Sequence, residues 1–308
     1  MKDGSWKTEL EKQVQTVKAR DSLVGFIGGP PCPDFSVAGK NKGSKGDNGR
    51  LTKSYVSIIV ENKPDFFMFE NVKGLVRTKK HKHFYEEMKK ILANADYILV
   101  DKILNSIQFG VPQDRDRIIL FGIRKELLEK GTTSRKQDQV TATFNWEMFA
   151  KYSKSILELE AWPLQSPFKE KGSMEKPEKV PEVLTVEYWF KKNDVLKHLN
   201  SKDYFQPKSP KFSSINEGDV SRKSFKRLHR WRYSPTVAYG NNEVHLHPYI
   251  ARRLSVSEAL AIQSLPKAFT LPAKMPLSDK FKTIGNGVPY LMSVGLAKTI
   301  DAFLNQLK

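Results

Sequence analysis

LVGFIGGPPC, residues 23 to 32, is a short apolar run that ends in two glycines, two prolines and the only cysteine of the 308-residue chain. The run is too short for a helix and almost wholly apolar, the pattern of a strand buried on both faces. Three similar runs follow: FFMFENV (66–72), YILVDKIL (97–104) and RIILFGI (117–123). Between the second and third, HFYEEMKKILAN (83–94) places Phe84, Met88 and Ile91 to Leu92 at helical spacing. Strands that alternate with helices predict an α/β fold, with a doubly wound and mainly parallel sheet joined by crossover helices.

Composition sets the surroundings of that sheet. With 39% hydrophobic residues the chain is long enough for one or two packed domains. A single cysteine forms no internal disulfide, and MKDGSWKTEL at the start is charged and lacks an apolar stretch, which places the chain in a reducing cytosol. No run of about 18 apolar residues predicts a membrane span. Lys and Arg number 52 against 34 Asp and Glu, a net charge of +18 that favours a polyanionic partner. The densest basic cluster is RKSFKRLHRWR (222–232), in which Arg222, Lys226, Arg227, Arg230 and Arg232 alternate with Phe225 and Trp231. Such a mixture predicts phosphate contacts beside a flat stacking surface, hence nucleic acid. The pairs HKH (81–83) and HLH (245–247) have no further ligands to complete a metal set, so solvated histidines and no metal are expected.

Beyond the strands, residues 125–245 are rich in Lys, Glu, Ser and Pro, with Trp146, Trp162, Trp189 and Trp231 in weak periodicity, and predict a separate irregular module. Order returns at SVSEALAIQSLP (255–266), where Ser255 and Glu258 form a capping-box signature before an amphipathic helix. TIGNGVPYLMSVGLAKTIDAFL (283–304) predicts a turn at Gly285 to Gly287 and then a long apolar helix.

The candidate chemistry gathers at strand ends. Cys32 follows the first strand directly, at the carboxyl end where ligands bind in open α/β sheets. Pro30 and Pro31 fix the backbone and remove donors beside the thiol. A lone cysteine is also read as a small buried hydrophobe. Glu70, at the carboxyl end of the second strand, would bring a carboxylate to the same rim, and its apolar neighbours Phe69 and Val72 predict partial desolvation and a raised pKa. In PQDRDRIILFG (112–122) alternate spacing sends Arg115 and Arg117 to one side, placed to hold a carboxylate or a base carbonyl.

Five segments in order, PPCPDFS, FENVKGL, GVPQDRDRIILFG, RRLSVSEALAIQSLP and IGNGVP, resemble the motifs of the DNA (cytosine-5) methyltransferases. The resemblance implies a Rossmann-like catalytic domain over 1–124 and 282–308. It also implies a small, irregular α+β target-recognition domain over 125–281 that ends in the helix 255–264. By the same resemblance Cys32 attacks C6 of a cytosine flipped out of double-stranded DNA, and Glu70 protonates N3. Arg115 and Arg117 match the motif arginines, with Arg117 expected at the cytosine O2. S-Adenosylmethionine is the implied cofactor, and Pro31, Leu51, Asn286 and Val288 match positions that line its pocket. The glycine-rich loop after Cys32, with Ser36, Lys40, Lys42 and Arg50, matches a lid that closes over DNA. Pro33 departs from the pattern, since many members have Gln there.

The upstream glycine-rich cofactor motif of the family finds no match, because GFIGG (25–29) runs straight into the Pro-Cys turn. The expectation is a sheet without its first strands and an apolar edge at 23–29. On this reading the chain is a fragment or one subunit of a split enzyme, with a second chain supplying the cofactor motif. The family implies a prokaryotic, cytoplasmic and nucleoid-associated protein of a restriction-modification system. The competing reading is a non-catalytic DNA-binding or regulatory relative.

Overall fold

The computed structural model describes residues 5–20, 22–30, 47–129, 140, 143–206, 209–222, 224–237, 239 and 243–307. Pro31, Cys32, Ser36, Lys40 and Lys42 lie outside the described residues. The chain forms two compact units, one of residues 1–104, 116–146 and 299–308, the other of 105–115 and 147–298. The motif-bearing stretch 282–298 thus packs with the second unit.

The first unit carries a four-stranded sheet. In chain order it contains α1 (Ser5–Lys18), β1 (Gly25–Gly28), α2 (Asp47–Asn62), β2 (Phe66–Val72), α3 (Gly74–Arg77), α4 (Lys79–Asn94), β3 (Tyr97–Asn105), β4 (Asp116–Arg124) and α5 (Lys125–Glu129). The spatial order is β1-β2-β4-β3. β1 runs parallel to β2, with Gly28 beside Phe69, and β4 runs antiparallel to β2, from Phe66↔Ile123 to Val72↔Arg117. The α/β class holds, in a mixed sheet.

The pleat divides the core into two faces. Phe67, Phe69, Ile118 and Leu120 pack on one side with Val56 and Ile59 of α2 and Phe84, Met88 and Leu92 of α4. Phe121 points to the other side, stacked on Phe144 at 4.7 Å and edge-on to Phe303 at 5.8 Å. β4 is accordingly buried throughout its interior, as a strand covered on both faces must be. Gly122 is required there, because a Cβ would come within 2.2 Å of the Phe67 ring.

Two expectations need correction. Ile91 is exposed, because the buried face of α4 centres on His81, Tyr85, Met88 and Leu92, and 91 lies at its edge beyond Phe84. β1 is also not buried on both faces: it is a short edge strand whose Ile27 is 66% exposed.

The second unit has little regular structure. Three 3₁₀ turns (Ser106–Phe109, Lys154–Glu158, Glu182–Leu184) accompany α6 (Val186–Lys192), α7 (Lys211–Ser214), α8 (Val256–Ile262), α9 (Leu277–Asn286) and α10 (Tyr290–Asn305), the last of which ends in the first unit. Its core of Trp189, Phe190, Val237, Tyr239, Leu260, Phe281 and Ile284 surrounds α8. The capping box of Ser255 and Glu258 is present, yet all seven residues of α8 are buried, so the helix is not amphipathic. α9 runs through Gly285 to Asn286, which places the expected turn later, at Gly287.

Loops leave many carbonyls without ladder partners, and buried ones must find donors elsewhere. Indoles meet part of that demand: the Nε1 groups of Trp162, Trp189 and Trp231 donate to the carbonyls of Ile156, Val183 and Met174 at 2.7, 2.9 and 2.9 Å.

Candidate active site

The parallel pairing of β1 and β2 decides where the chemistry collects. Gly28 lies beside Phe69, so Gly29, the first residue past β1, comes beside Glu70 near the carboxyl end of β2. β4 runs against β2, which puts the start of β4 at the same rim. Val72 opposes Arg117 and Glu70 opposes Ile119, so Glu70 and Arg117 are diagonal neighbours on one face. Their side chains meet, Arg117 Nε to Glu70 Oε1 at 2.7 Å, with only 10% and 12% of their side-chain surfaces exposed. Nη1 of Arg117 also donates to the carbonyl of Asp116 at 2.8 Å, which sets the plane of the guanidinium.

Three neighbours that the sequence reading did not assign shape this rim. Asn71 is buried and its Nδ2 donates to the carbonyl of Pro30 at 3.3 Å, fastening the chain two residues before Cys32 to the end of β2. Lys73 pairs with Asp116 at 2.5 Å and so braces the first residue of β4. Gly29 faces the carboxylate so closely that a Cβ would stand 2.8 Å from Glu70 Oε2. The sequence signal for Asn71 and Lys73 was adjacency to Glu70 in ENVK, which carries no geometric information until the strands are paired.

A nearly buried acid held by an arginine at the end of the strand pair whose first strand precedes the Pro-Cys sequence is what the motif order anticipates. The model of the C-5 cytosine-specific DNA methylases matches residues 6–302. The chain belongs to that family. It is 50% identical over 299 residues to the type II methyltransferase M.NmeDI of Neisseria meningitidis serogroup C, covering 96% of this chain and 68% of that one. It is 27% identical over 318 residues to the type II methyltransferase M.MthTI of Methanothermobacter thermautotrophicus, covering 96% and 87%. Among solved structures, the Dnmt2 methyltransferase of S. pombe aligns with a TM-score of 0.54 at 15% identity, over 96% of this chain and 82% of that one. That likeness supports the Rossmann-like fold.

Within this methylase, the two motif arginines do different things. Arg115 precedes β4, so strand alternation does not govern it. It is buried in the second unit, where Nη1 donates to the carbonyl of Val237 at 2.9 Å and Nη2 to those of Gly285 and Gly287 at 2.8 and 3.1 Å.

The basic cluster 222–232 is also largely interior. Arg227 is 0% exposed. It donates to the carbonyls of Ile215 (2.8 Å), His247 (2.5 Å), Ile250 (3.3 Å) and Phe212, and stacks 4.0 Å from the Phe168 ring centre. Arg230 is buried in a bidentate pair with Glu217, at 2.9 and 2.8 Å. Arg232 donates to the carbonyl of Pro163 at 3.2 Å, and Trp231 is buried. The predicted phosphate-binding role is therefore corrected for Arg227 and Arg230. They serve the carbonyl and carboxylate demand of an irregular interior, for which five fixed donors suit a guanidinium. Arg222 is exposed and Lys226 half-buried, and Arg50 is exposed on α2. The histidines of 245–247 are not solvated either. Burial holds His245 at a pKa of about 3 and His247 at about 4, and His229 likewise at about 4.

The cofactor candidates are placed in part. Tyr55 lies over β1, donating to the carbonyls of Phe26 and Met68 at 3.2 and 3.0 Å. Leu51, one turn earlier on α2, is 46% exposed. In the second unit Asn286 is exposed and Val288 half-buried. Each kind of side chain, apolar in the first unit and amide in the second, suits the contacts that a nucleoside thioether takes. The carboxylates at the first unit's rim, Glu70 and Asp116, are engaged by Arg117 and Lys73.

Proposed function

We propose that the chain is an S-adenosylmethionine-dependent DNA (cytosine-5) methyltransferase that acts through Cys32 on a cytosine turned out of the duplex. The observation that carries this reading is the nearly buried Glu70–Arg117 pair beside Gly29, two residues short of the Pro-Cys sequence.

The thiolate of Cys32 forms a bond to C6, and the C5–C6 π electrons move toward C5 and the ring. Glu70 supplies a proton at N3, so that the ring does not carry the charge as a free anion. Arg117 holds Glu70 in position and presents a cation to the O2 edge of the base. S-Adenosylmethionine supplies an electrophilic methyl group when bound. After C5 is methylated, its proton leaves to a base, the Cys32–C6 bond breaks and N3 returns its proton to Glu70, restoring thiolate, acid and aromatic ring. Pro31, Leu51, Asn286 and Val288 are assigned to the donor. Ser36, Lys40, Lys42, Arg50, Arg222, Lys226 and Arg232 are assigned to DNA, and residues 125–281 to target recognition.

The edge position of β1 among the described strands supports pairing with a further strand, as the reading with a second chain requires. Relatives described as type II methyltransferases support a place in a restriction-modification system, and we assign the chain to the prokaryotic cytoplasm at the nucleoid.

The test is a duplex carrying 5-fluorocytosine at candidate sites, incubated with the full chain and S-adenosylmethionine, because fluorine at C5 prevents the final proton loss. A covalent protein–DNA species that disappears in Cys32→Ser is expected. DNA binding without an adduct would favour the non-catalytic relative and overturn the catalytic reading.

A further inference from the structure

We propose that Gln113, Arg115 and Gln263 form a buried clamp that fixes residues 284–288, and that Arg115 is a positioning residue for methyl-donor binding. The proposal rests on the assignment of Asn286 and Val288 to the donor site.

The clamp begins with two segments that run side by side. Ser234 N donates to the carbonyl of Pro112 and Asp114 N to the carbonyl of Ser234, both at 2.8 Å, so that Gln113 and Ser234 form a parallel bridge. Gln113 Oε1 accepts from Val237 N at 3.1 Å, while its Nε2 donates to Gln263 Oε1 at 3.1 Å. Gln263 then donates to the carbonyls of Ile284 and Gly287 at 2.5 and 3.3 Å. Arg115 closes the circuit on Val237, Gly285 and Gly287. All three side chains are almost wholly buried.

These donors meet a specific demand. The last carbonyls of a helix have no partner within it and carry the negative end of its dipole. α9 spans ten residues, and Ile284 and Gly285 lie in its final turn. Gln263 takes the first of these carbonyls and the Arg115 cation takes the second, so the buried charge is offset where the helix is negative. Asn286 sits between Gly285 and Gly287, both of whose carbonyls Arg115 holds. Its direction is therefore set from both sides. Gly285 allows the close fit, because a Cβ there would lie 3.0 Å from Tyr239 N. A lysine presents a point charge and cannot span carbonyls from two segments as the planar fork does.

This arrangement separates two roles within one motif. Arg117 faces Glu70, and Arg115 organises the turn assigned to the donor.

The test compares the full-length wild type with Arg115→Lys, Gln263→Met and Asn286→Ala. Amide exchange over 283–291 reads the clamp, and donor KM, kcat at saturating donor and duplex affinity read its consequence. Arg115→Lys and Gln263→Met should speed exchange locally and raise donor KM by about tenfold or more, with kcat and duplex affinity within about threefold. Asn286→Ala should raise donor KM and leave exchange unchanged. A fall in kcat with donor KM and local exchange unchanged would make Arg115 catalytic and overturn the proposal. If the clamp variants alter exchange but the wild type neither binds donor nor methylates, the functional reading fails and takes the donor role with it. Should Arg115→Lys not fold, Gln263→Met decides by the same readouts.

Discussion

Arg117 reaches Glu70 diagonally across the β2–β4 pair, Nε to Oε1 at 2.7 Å, with both side chains nearly buried. Glu70→Gln keeps the shape and removes the acid, and should lower kcat by about 10² to 10⁴-fold with little change in duplex affinity. Arg117→Ala leaves a carboxylate buried without this partner and should cost about 3 kcal/mol in urea unfolding. The double variant Glu70→Ala/Arg117→Ala should be less destabilised than the sum of its parts. Additivity would mean that the two side chains do not interact in solution.

Two glycines of the first unit should respond differently to alanine. At Gly29 the added methyl meets the flexible end of Glu70, so Gly29→Ala should impair turnover and leave the melting temperature nearly unchanged. At Gly122 it meets the Phe67 ring within the core, and Gly122→Ala should cost about 1–3 kcal/mol. Thermal melts alongside methylation assays distinguish the two.

The basic cluster should divide by burial. Arg227→Ala and Arg230→Ala should destabilise the protein by several kcal/mol, since each leaves buried acceptors without their donor. Arg222→Ala should leave stability unchanged and reduce the slope of log affinity against log salt by about one. Equal losses of duplex affinity from all three, with unchanged stability, would return the cluster to the phosphate backbone.

The buried histidines set a lower limit on pH. His229, His245 and His247 titrate near 4, 3 and 4 in the folded chain, and near 6.5 when unfolded. Between those values the unfolded chain binds more protons, so stability should fall as pH drops from about 6.5 toward 4. Each histidine contributes on the order of 3 kcal/mol across that window. Unfolding free energies from pH 7 to 4.5 should show the loss, and His245→Leu should flatten the curve. A pH-independent stability in wild type would contradict the burial of these rings.

Periodicity made the first unit readable. The runs at 66–72 and 117–123 are apolar because both faces are covered, and the α4 stripe and the Ser255–Glu258 cap are local patterns that survive folding unchanged. Glu70 could be assigned to a strand end for the same reason. The second unit resisted because its order lies in side chains that bond to carbonyls far away in sequence, as Arg227 and the three indoles do. Composition counts such an arginine as surface charge, and nothing in RKSFKRLHRWR distinguishes Arg222 from Arg227. Arg115 and Arg117 were paired by a strand rule that starts one residue too late to include Arg115.

Asp116, between those arginines, is where the chain passes from one unit to the other and β4 begins. A single residue inserted there would preserve every functional group in the protein. If β4 kept its pairing with β2 from the far end, Arg117 would stay in step with Glu70 and the spacing from Arg115 would lengthen; if the strand slipped by one residue instead, the Arg117 side chain would turn to the opposite face. The stretch QDRDR therefore works as a ruler as much as a set of ligands, and length changes at this point should be tolerated far less than changes of residue type.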